Sequence, residues 1–461
     1  MSLRNTILIG TPALALALGL GLIGTGVTPI IAWTVAITLL TAVWWVSEAL
    51  PIPVTSLLPF CLFPLFGVLD AKQAASGLGA NVILLLMGAF MLSKAIERSG
   101  LHRRFALMMI QLIGGPALRF AEWRLVLAFM ITAALLSMWI SNSATTLMLT
   151  PIALAVLQDI EQPRLTRAVL LGVAYAASVG GTATLVGTPP NVIFAGVYEQ
   201  FTGAEYGFLR WMKTGVPIMM LSIPLMALWL ARGLRAQRSV ALPALGPWRA
   251  EEKRVLMVFG LTVFLWVFRA EPFGGWSGWL DIDGISDASI ALFAVVLMCL
   301  VPNGKGSGLL DWESAGNIPW GMLLLFAGGI VIAKAFSASG LSQVIGNGLG
   351  GLAGLPVLLM LLVITLSVSF LTEITSNTAT ATLLMPVLAA AAMGAAMAPE
   401  LLMLPAAVAA SSAFMLPVAT APNAIVYATD RLSIREMARE GVVLNIIVAL
   451  VVTAVCALSL G

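Results

Sequence analysis

Apolar runs of membrane length follow one another along almost the whole chain, and they leave few architectures open. They fall at about 6–24, 29–47, 54–69, 81–97, 125–140, 144–158, 168–199 and 215–231. The second half adds about 253–269, 287–301, 317–335, 355–371, 379–392, 402–428 and 441–460. Only 10% of the 461 residues are charged, against about 25% in a soluble domain. Hydrocarbon offers no partner to a backbone amide, so segments of this kind span as helices. The expected class is an all-α polytopic membrane protein. The first run, about 6–24, reads as a retained span, with a cleaved signal peptide as the alternative. The net charge of +3 resides in loops and gives no reason to expect nucleic acid. Cys61, Cys299 and Cys456 are isolated in apolar runs, without metal or disulfide spacing.

Two polar stretches interrupt this pattern. Ser141-Asn142-Ser143-Ala144-Thr145-Thr146 is followed by Pro151, and Ser376-Asn377-Thr378-Ala379-Thr380 by Pro386. Hydroxyl and amide groups at membrane depth need partners. The arms on either side hold about 14–17 residues each, while a span needs about 20. Each pair of arms therefore reads as a re-entrant helical hairpin, over 125–158 and 355–392. The alternative is two short ordinary spans whose Ser and Asn bond between helices.

With the N-terminus inside and both hairpins re-entrant, eleven transmembrane helices result. Arg98, Arg103, Arg104, Arg232, Arg235, Arg238, Arg431, Arg435 and Arg439 then fall in inside loops. The outside loops hold only Lys72, Arg210, Lys213 and Arg269 as basic residues, with Glu271, Asp281, Asp283 and Asp287 opposing them. This is the bias of the positive-inside rule. It places the C-terminus outside the cell, and it does not settle whether the hairpins are re-entrant.

The halves repeat. Gly88, Lys94, Ser99, Gly100 and Leu101 match Gly328, Lys334, Ser339, Gly340 and Leu341 at an offset of 240. Asn142, Thr145 and Pro151 match Asn377, Thr380 and Pro386 at 235, and Thr188, Pro190 and Asn191 match Thr420, Pro422 and Asn423 at 232. The expected organisation is an extra span in 1–28, a first repeat over 29–231, a cytoplasmic linker over 232–252 and a second repeat over 253–461. Five full spans per repeat invert the second copy, a plan that places binding sites at the midplane.

Each repeat also has a span broken by proline. Gly187-Thr188-Pro189-Pro190-Asn191 interrupts 168–199, and Ala419-Thr420-Ala421-Pro422-Asn423 interrupts 402–428. Proline removes a backbone donor and clashes with the preceding turn. A kink that serves only packing is the alternative. A broken helix exposes carbonyls to a cation and amides to a carboxylate. Ser141 and Asn142, with carbonyls near Gly187, form one set of oxygens suited to Na⁺. Asn377 and Thr372, with carbonyls near Ala419, form the other. No Arg or Lys is near either tip in sequence, so cations and helix dipoles must offset the charge of a bound anion.

The paired tips resemble the signature of the divalent anion/sodium symporter family, which carries dicarboxylates, citrate or sulfate. Trp44-Trp45-Val46-Ser47-Glu48-Ala49-Leu50-Pro51 with Thr55, and Phe370-Leu371-Thr372-Glu373-Ile374-Thr375-Ser376-Asn377-Thr378, are similar to further motifs of that family. The resemblance covers nearly the whole chain. It implies a bacterial inner-membrane protein, a homodimer and elevator-type movement. It maps one sodium site to Ser137, Ser141, Asn142 and Gly187, and a second to Thr372, Thr375, Asn377 and Ala419. Substrate contacts map to Asn142, Ser143, Asn377, Thr378 and Thr420, with Thr188 as the counterpart of Thr420. Ser143 replaces the usual Thr, and Ala421 stands where the first break has Pro189, so the second break is expected to be less rigid.

The leading expectation is therefore Na⁺-coupled import of a C4-dicarboxylate such as succinate, malate or fumarate. Alternatives are dicarboxylate/2-oxoglutarate exchange and citrate or sulfate symport. A cation/proton antiporter normally needs midplane carboxylates, and Glu373 is the only clear one. That acid either tunes the nearby cation site or pairs structurally. An enzyme is not expected, since no intramembrane His, Lys or Asp is placed to activate serine. Glu48 reads as structural, Lys94 and Lys334 as snorkelling to the interface, and His102 as solvated in a basic loop.

Overall fold

The computed structural model describes residues 3–114, 119–158, 160, 162–234, 237–239, 245–282, 284–348 and 356–460. Arg235, Asp283, the first residue of the second expected hairpin and the final glycine lie outside the described residues. So does part of the expected linker.

The chain begins with α1 (Leu3–Gly24), which packs on α2 (Pro29–Ser47). Next come α3 (Ile52–Thr55), α4 (Leu58–Leu65) and α5 (Ala71–Ala75). The expected third span is present as two short helices divided at Ser56-Leu57, with a visible cause. Pro59, just past the division, denies a continuous helix a backbone donor, whereas Pro53 sits at the start of α3 and Pro64 lies inside α4. The rest of the first repeat is α6 (Asn81–Ser99), α7 (Leu101–Gly114), α8 (Glu122–Ser137), α9 (Asn142–Leu157), α10 (Pro163–Gly181), α11 (Pro189–Thr202) and α12 (Phe208–Leu230).

The second repeat runs through α13 (Ala250–Val267), α14 (Gly275–Trp279), α15 (Asp287–Leu300) and α16 (Trp312–Gly316). It continues with α17 (Trp320–Ser339), α18 (Leu341–Gly348), α19 (Val357–Thr372) and α20 (Asn377–Gly394). It ends with α21 (Pro399–Ala410), α22 (Ala421–Tyr427) and α23 (Ile434–Leu460). The fold is otherwise helical, except that β1 (Arg119–Ala121) and β2 (Gln237–Ser239) pair as a short antiparallel ribbon. That ribbon ties the approach to the first hairpin to the segment between the repeats.

Among the described residues, six helices are long and apolar enough to cross a bilayer: α1 (from Arg4), α2, α12, α17, α20 and α23. The second arm of the second hairpin is thus 18 residues long, longer than the sequence led us to expect. The other three arms hold 16 each.

α10 and α21 form the centre. Every residue of 168–181 and 401–410 is buried. The first stretch is rich in Ala and Gly and the second in Ala, small residues that let neighbouring backbones approach. A Cβ on Gly180 would lie 2.3 Å from the Ala134 carbonyl oxygen, so only glycine permits the contact of α10 with α8. The unwound segments 182–188 and 411–420 interrupt the two central helices. Beyond them the halves cross over: α11 packs on α20 and α17, and α22 packs on α9 and α10.

The basic stretch after α6 is not a solvated loop. It forms α7, which packs on α8. Its Arg104 is buried, with Nε 2.8 Å from Glu252 and its two terminal nitrogens donating to Gly246 O and Pro247 O at 2.8 and 2.7 Å. His102 is half-buried on the same helix, its Nδ1 3.1 Å from Ile96 O. Burial, the largest influence, lowers its pKa from the usual histidine value.

Candidate functional site

The two Ser-Asn tips share an asparagine-to-hydroxyl contact, while only the first has a serine side-chain cap. Ser141 is the N-cap of α9, and its side chain accepts from Ala144 N at 3.2 Å. One residue on, Asn142 turns back across the tip, and its Oδ1 accepts from Ser137 Oγ at 2.5 Å. In the second hairpin Thr372 Oγ1 reaches Asn377 Oδ1 at 2.8 Å and Ala410 O at 3.1 Å. These pairs occupy equivalent positions in the two repeats, so the duplication preserved a contact as well as a motif.

The unwound segments are braced by a second symmetric device. Asn191 Nδ2 donates to Gly181 O and Thr184 O at 3.0 and 2.7 Å. Asn423 Nδ2 donates to Ala413 O and Leu416 O at 3.1 and 3.0 Å. Each amide therefore holds two carbonyls that the break releases from helical bonding. Prolines begin the helix after each break, where a missing donor costs nothing. In the second, Thr420 accepts from Asn423 N at 3.2 Å and caps α22. Thr188 makes no such cap, and its hydroxyl lies 3.3 Å from Ser411 Oγ instead.

Glu373 has a structural partner set. Its carboxylate accepts from Phe414 N at 2.7 Å, Met415 N at 2.9 Å and Leu416 N at 3.1 Å. Asn445 Nδ2 donates to it at 2.8 Å. A buried carboxylate thus fastens three successive amides of the second unwound segment and links them to α23. The corresponding position in the first repeat is Met138, whose carbonyl accepts from Thr184 Oγ1 at 2.6 Å.

A single cavity of about 550 Å³ joins both half-sites. Ser141, Asn142, Ser143, Gly187 and Thr188 line it from one repeat, and Asn377, Thr378, Ala419 and Thr420 from the other. Ser137 and Thr372 are fully buried behind the two asparagines. Thr375 is apart from the cavity lining. It bonds Leu371 O at 2.9 Å and Thr380 Oγ1 at 2.7 Å along its own hairpin.

Three further lining groups, Ser376, Lys94 and Glu97, were not among the expected site residues. Ser376 was legible as the repeat partner of Ser141. Lys94 and Glu97 were not, because only the fold brings α6 to the cavity. They pair with each other at 2.8 Å, so they add no net charge. The start of α9, α11 and α20 also falls on this wall, presenting the positive ends of three helix dipoles.

The first oxygen set has the shape of a cation cradle. A Cβ on Gly181 would lie 2.6 Å from Asn142 Oδ1 and 3.1 Å from Gly187 O. Any side chain there would fill the space those oxygens surround. The donors are neutral oxygens, the chemistry hard cations prefer. The second set consists of Thr372 Oγ1, Asn377 Oδ1 and Ala410 O.

Two Ser-Asn tips and two unwound helices around one polar cavity, in a chain of apolar helices, define a multi-pass membrane transporter. The family model described as the sodium:sulfate symporter transmembrane region matches residues 8–459, and the chain belongs to that family. It is 39% identical over 448 residues to the sodium-dependent dicarboxylate transporter SdcS of Staphylococcus saprophyticus, covering 92% of this chain and 85% of that protein. The protein of the same name from Staphylococcus aureus is 38% identical over 448 residues, with the same coverage. Two solved structures share the fold at 16% identity. The Alcanivorax borkumensis YdaH transporter has a TM-score of 0.58 over 84% of this chain and 87% of its own. Neisseria gonorrhoeae MtrF has 0.59 over 91% and 96%.

Proposed function

We propose that this symporter imports C4-dicarboxylates such as succinate, malate or fumarate across the bacterial inner membrane, driven by Na⁺. The observation that carries this reading is the charge balance of the cavity. Among the described residues, its only charged lining groups are Lys94 and Glu97, which neutralise each other. A doubly negative guest therefore meets hydroxyls, amides and helix N-termini without a free cationic side chain. Bound sodium ions supply the missing charge, and this couples the anion to the cation. The names of the staphylococcal relatives support the same pairing of sodium with a dicarboxylate.

Ser137, Ser141, Asn142 and Gly187 hold one sodium ion in this reading. Thr372, Thr375, Asn377 and Ala419 hold the other, with the Thr375 hydroxyl also bonded to Thr380. Asn142, Ser143, Thr188, Asn377, Thr378 and Thr420 receive the dicarboxylate. The hairpins are re-entrant, completing eleven spans, and the protein works as a homodimer with its N-terminus in the cytoplasm and its C-terminus outside.

The cavity reaches Ser93, Lys94 and Glu97, at the α6 end that precedes Arg98, Arg103 and Arg104. By the positive-inside rule this mouth faces the cytoplasm. On the far side α11 is wedged between α6 and α17. A Cβ on its Gly196 would lie 2.9 Å from Val82 and 3.0 Å from Ile330. Transport then requires the hairpins and broken helices to slide past α6 and α17, an elevator movement.

Reconstituted protein tests the reading. Uptake of labelled succinate into liposomes should require an inward sodium gradient and stop in K⁺. Uptake indifferent to sodium but driven by internal dicarboxylate would replace symport with exchange.

A further inference from the structure

We propose that the arginine-rich end of α10, α12 and α23 holds an anionic phospholipid. Its phosphate is taken by guanidinium groups, and one acyl chain lies in a groove between α12 and α23. Two adjoining cavities carry this, and neither shares a residue with the central site.

The first cavity, about 240 Å³, is lined by Arg164, Arg167, Arg232 and Arg439 against only two acids, Glu436 and Glu440. Their formal charges leave it at +2. Both acids are already engaged. Arg167 pairs with Glu436, while Arg232 and Arg439 meet Glu440 at 2.7 and 2.9 Å. Arg164 donates to the Arg232 carbonyl at 2.6 Å. Each guanidinium carries five N–H donors in a planar fork suited to phosphate oxygens. Two carboxylates do not absorb the donors of four such groups.

The second cavity, about 550 Å³, is an open groove. Its walls are apolar: Leu221, Leu225 and Leu228 from α12, and Ile447, Leu450 and Val451 from α23. Arg232 borders both cavities, so groove and basic pocket adjoin at its guanidinium. Trp229 lies at the junction, with Arg232 4.0 Å above its ring and its Nε1 donating to Glu440 at 2.9 Å. Tryptophan favours the headgroup level of a bilayer. From Leu221 to Arg232 a helix rises about 16 Å, close to the thickness of one hydrocarbon leaflet, about 15 Å.

A free phosphate ion would need the pocket alone. The attached groove favours a lipid, because basic pockets between helices on the cytoplasmic side suit anionic headgroups. The occupant is therefore a glycerophospholipid with an acidic headgroup.

Native mass spectrometry and competition binding on delipidated, full-length protein test this. The probes are phosphatidylglycerol, phosphatidylcholine with the same acyl chains, and water-soluble glycerol phosphate. Phosphatidylglycerol should bind at least about tenfold tighter than either of the others. The triple variant R164Q/R167Q/R439Q should lose roughly 100-fold in that affinity. The matching lysine triple should retain most of it, which separates charge from folding. Ala454→Trp fills the groove and should weaken the lipid while leaving glycerol phosphate binding unchanged. Equal binding of the two lipids, an unaffected glutamine triple, or glycerol phosphate bound as tightly as the lipid would each overturn the proposal. So would undiminished lipid binding by Ala454→Trp.

Discussion

Thr188 and Ser411 bring their hydroxyls to 3.3 Å where the two broken helices meet. One residue closes the first unwound segment and the other opens the second. The contact has no mirror image, because the repeat position of Ser411 is Val179, which has no hydroxyl. Thr420 accordingly caps its own helix. Thr188→Val should leave the Ser411 hydroxyl unpaired in a buried place, costing about 1–3 kcal/mol. A lower Tm in detergent, with a raised KM for succinate, is the expected result. An unchanged Tm would show that the contact holds nothing together.

Asn142→Ala and Asn377→Ala should each reduce transport to near background while the protein stays folded. Gly181→Ala should do the same through sodium, since its methyl would fall 2.6 Å from Asn142 Oδ1. The reporter is thermal stabilisation by succinate, measured in Na⁺ and in K⁺. Wild type should be stabilised only in Na⁺, and the three variants in neither. Normal sodium-dependent uptake by both asparagine variants would contradict the site.

Glu373→Gln tests the brace. The amide keeps the shape but points one N–H₂ group at backbone donors, losing at least one charge-assisted bond. A loss of roughly 2 kcal/mol or more is expected. It should show as a lowered Tm and poor yield at any sodium concentration. If stability stays at the wild-type value and only sodium affinity shifts, the acid tunes a cation site after all.

Lys94 and Lys334 are repeat partners in unlike surroundings. Lys94 lines the open cavity, whereas Lys334 bonds Ser76 in a separate pocket with Gln73 and Gln200. In a background lacking Cys61, Cys299 and Cys456, Lys94→Cys should react with a polar thiol reagent from the cytoplasm. Lys334→Cys should react slowly, until conditions that turn the carrier outward reverse the order. Equal labelling of both under all conditions would exclude alternating access through these faces.

The polar tips between helices and the unwound breaks were legible because polar groups at membrane depth have few uses, and here they recur at fixed offsets. Legibility failed where tertiary packing decided the matter. Arg104 reads as a loop charge, yet it is buried beside Glu252, 148 positions away. Lys94 reads as an interfacial cation, yet α6 delivers it to the cavity. Pro59 was visible in an apolar run, but the run length outweighed it. Thr375 belongs to the family motif, while its rotamer directs it to Thr380. No pattern of residue types encodes such a choice.

The exchange of partners beyond the breaks has a consequence for assembly. Because α11 finishes against the second hairpin and α22 against the first, neither half owns a complete binding pocket. Two separately synthesised polypeptides, divided between the repeats, would each display the surface that the other needs. Covalent continuity would then be dispensable, and co-translated fragments should reconstitute a working carrier where either fragment alone is inert.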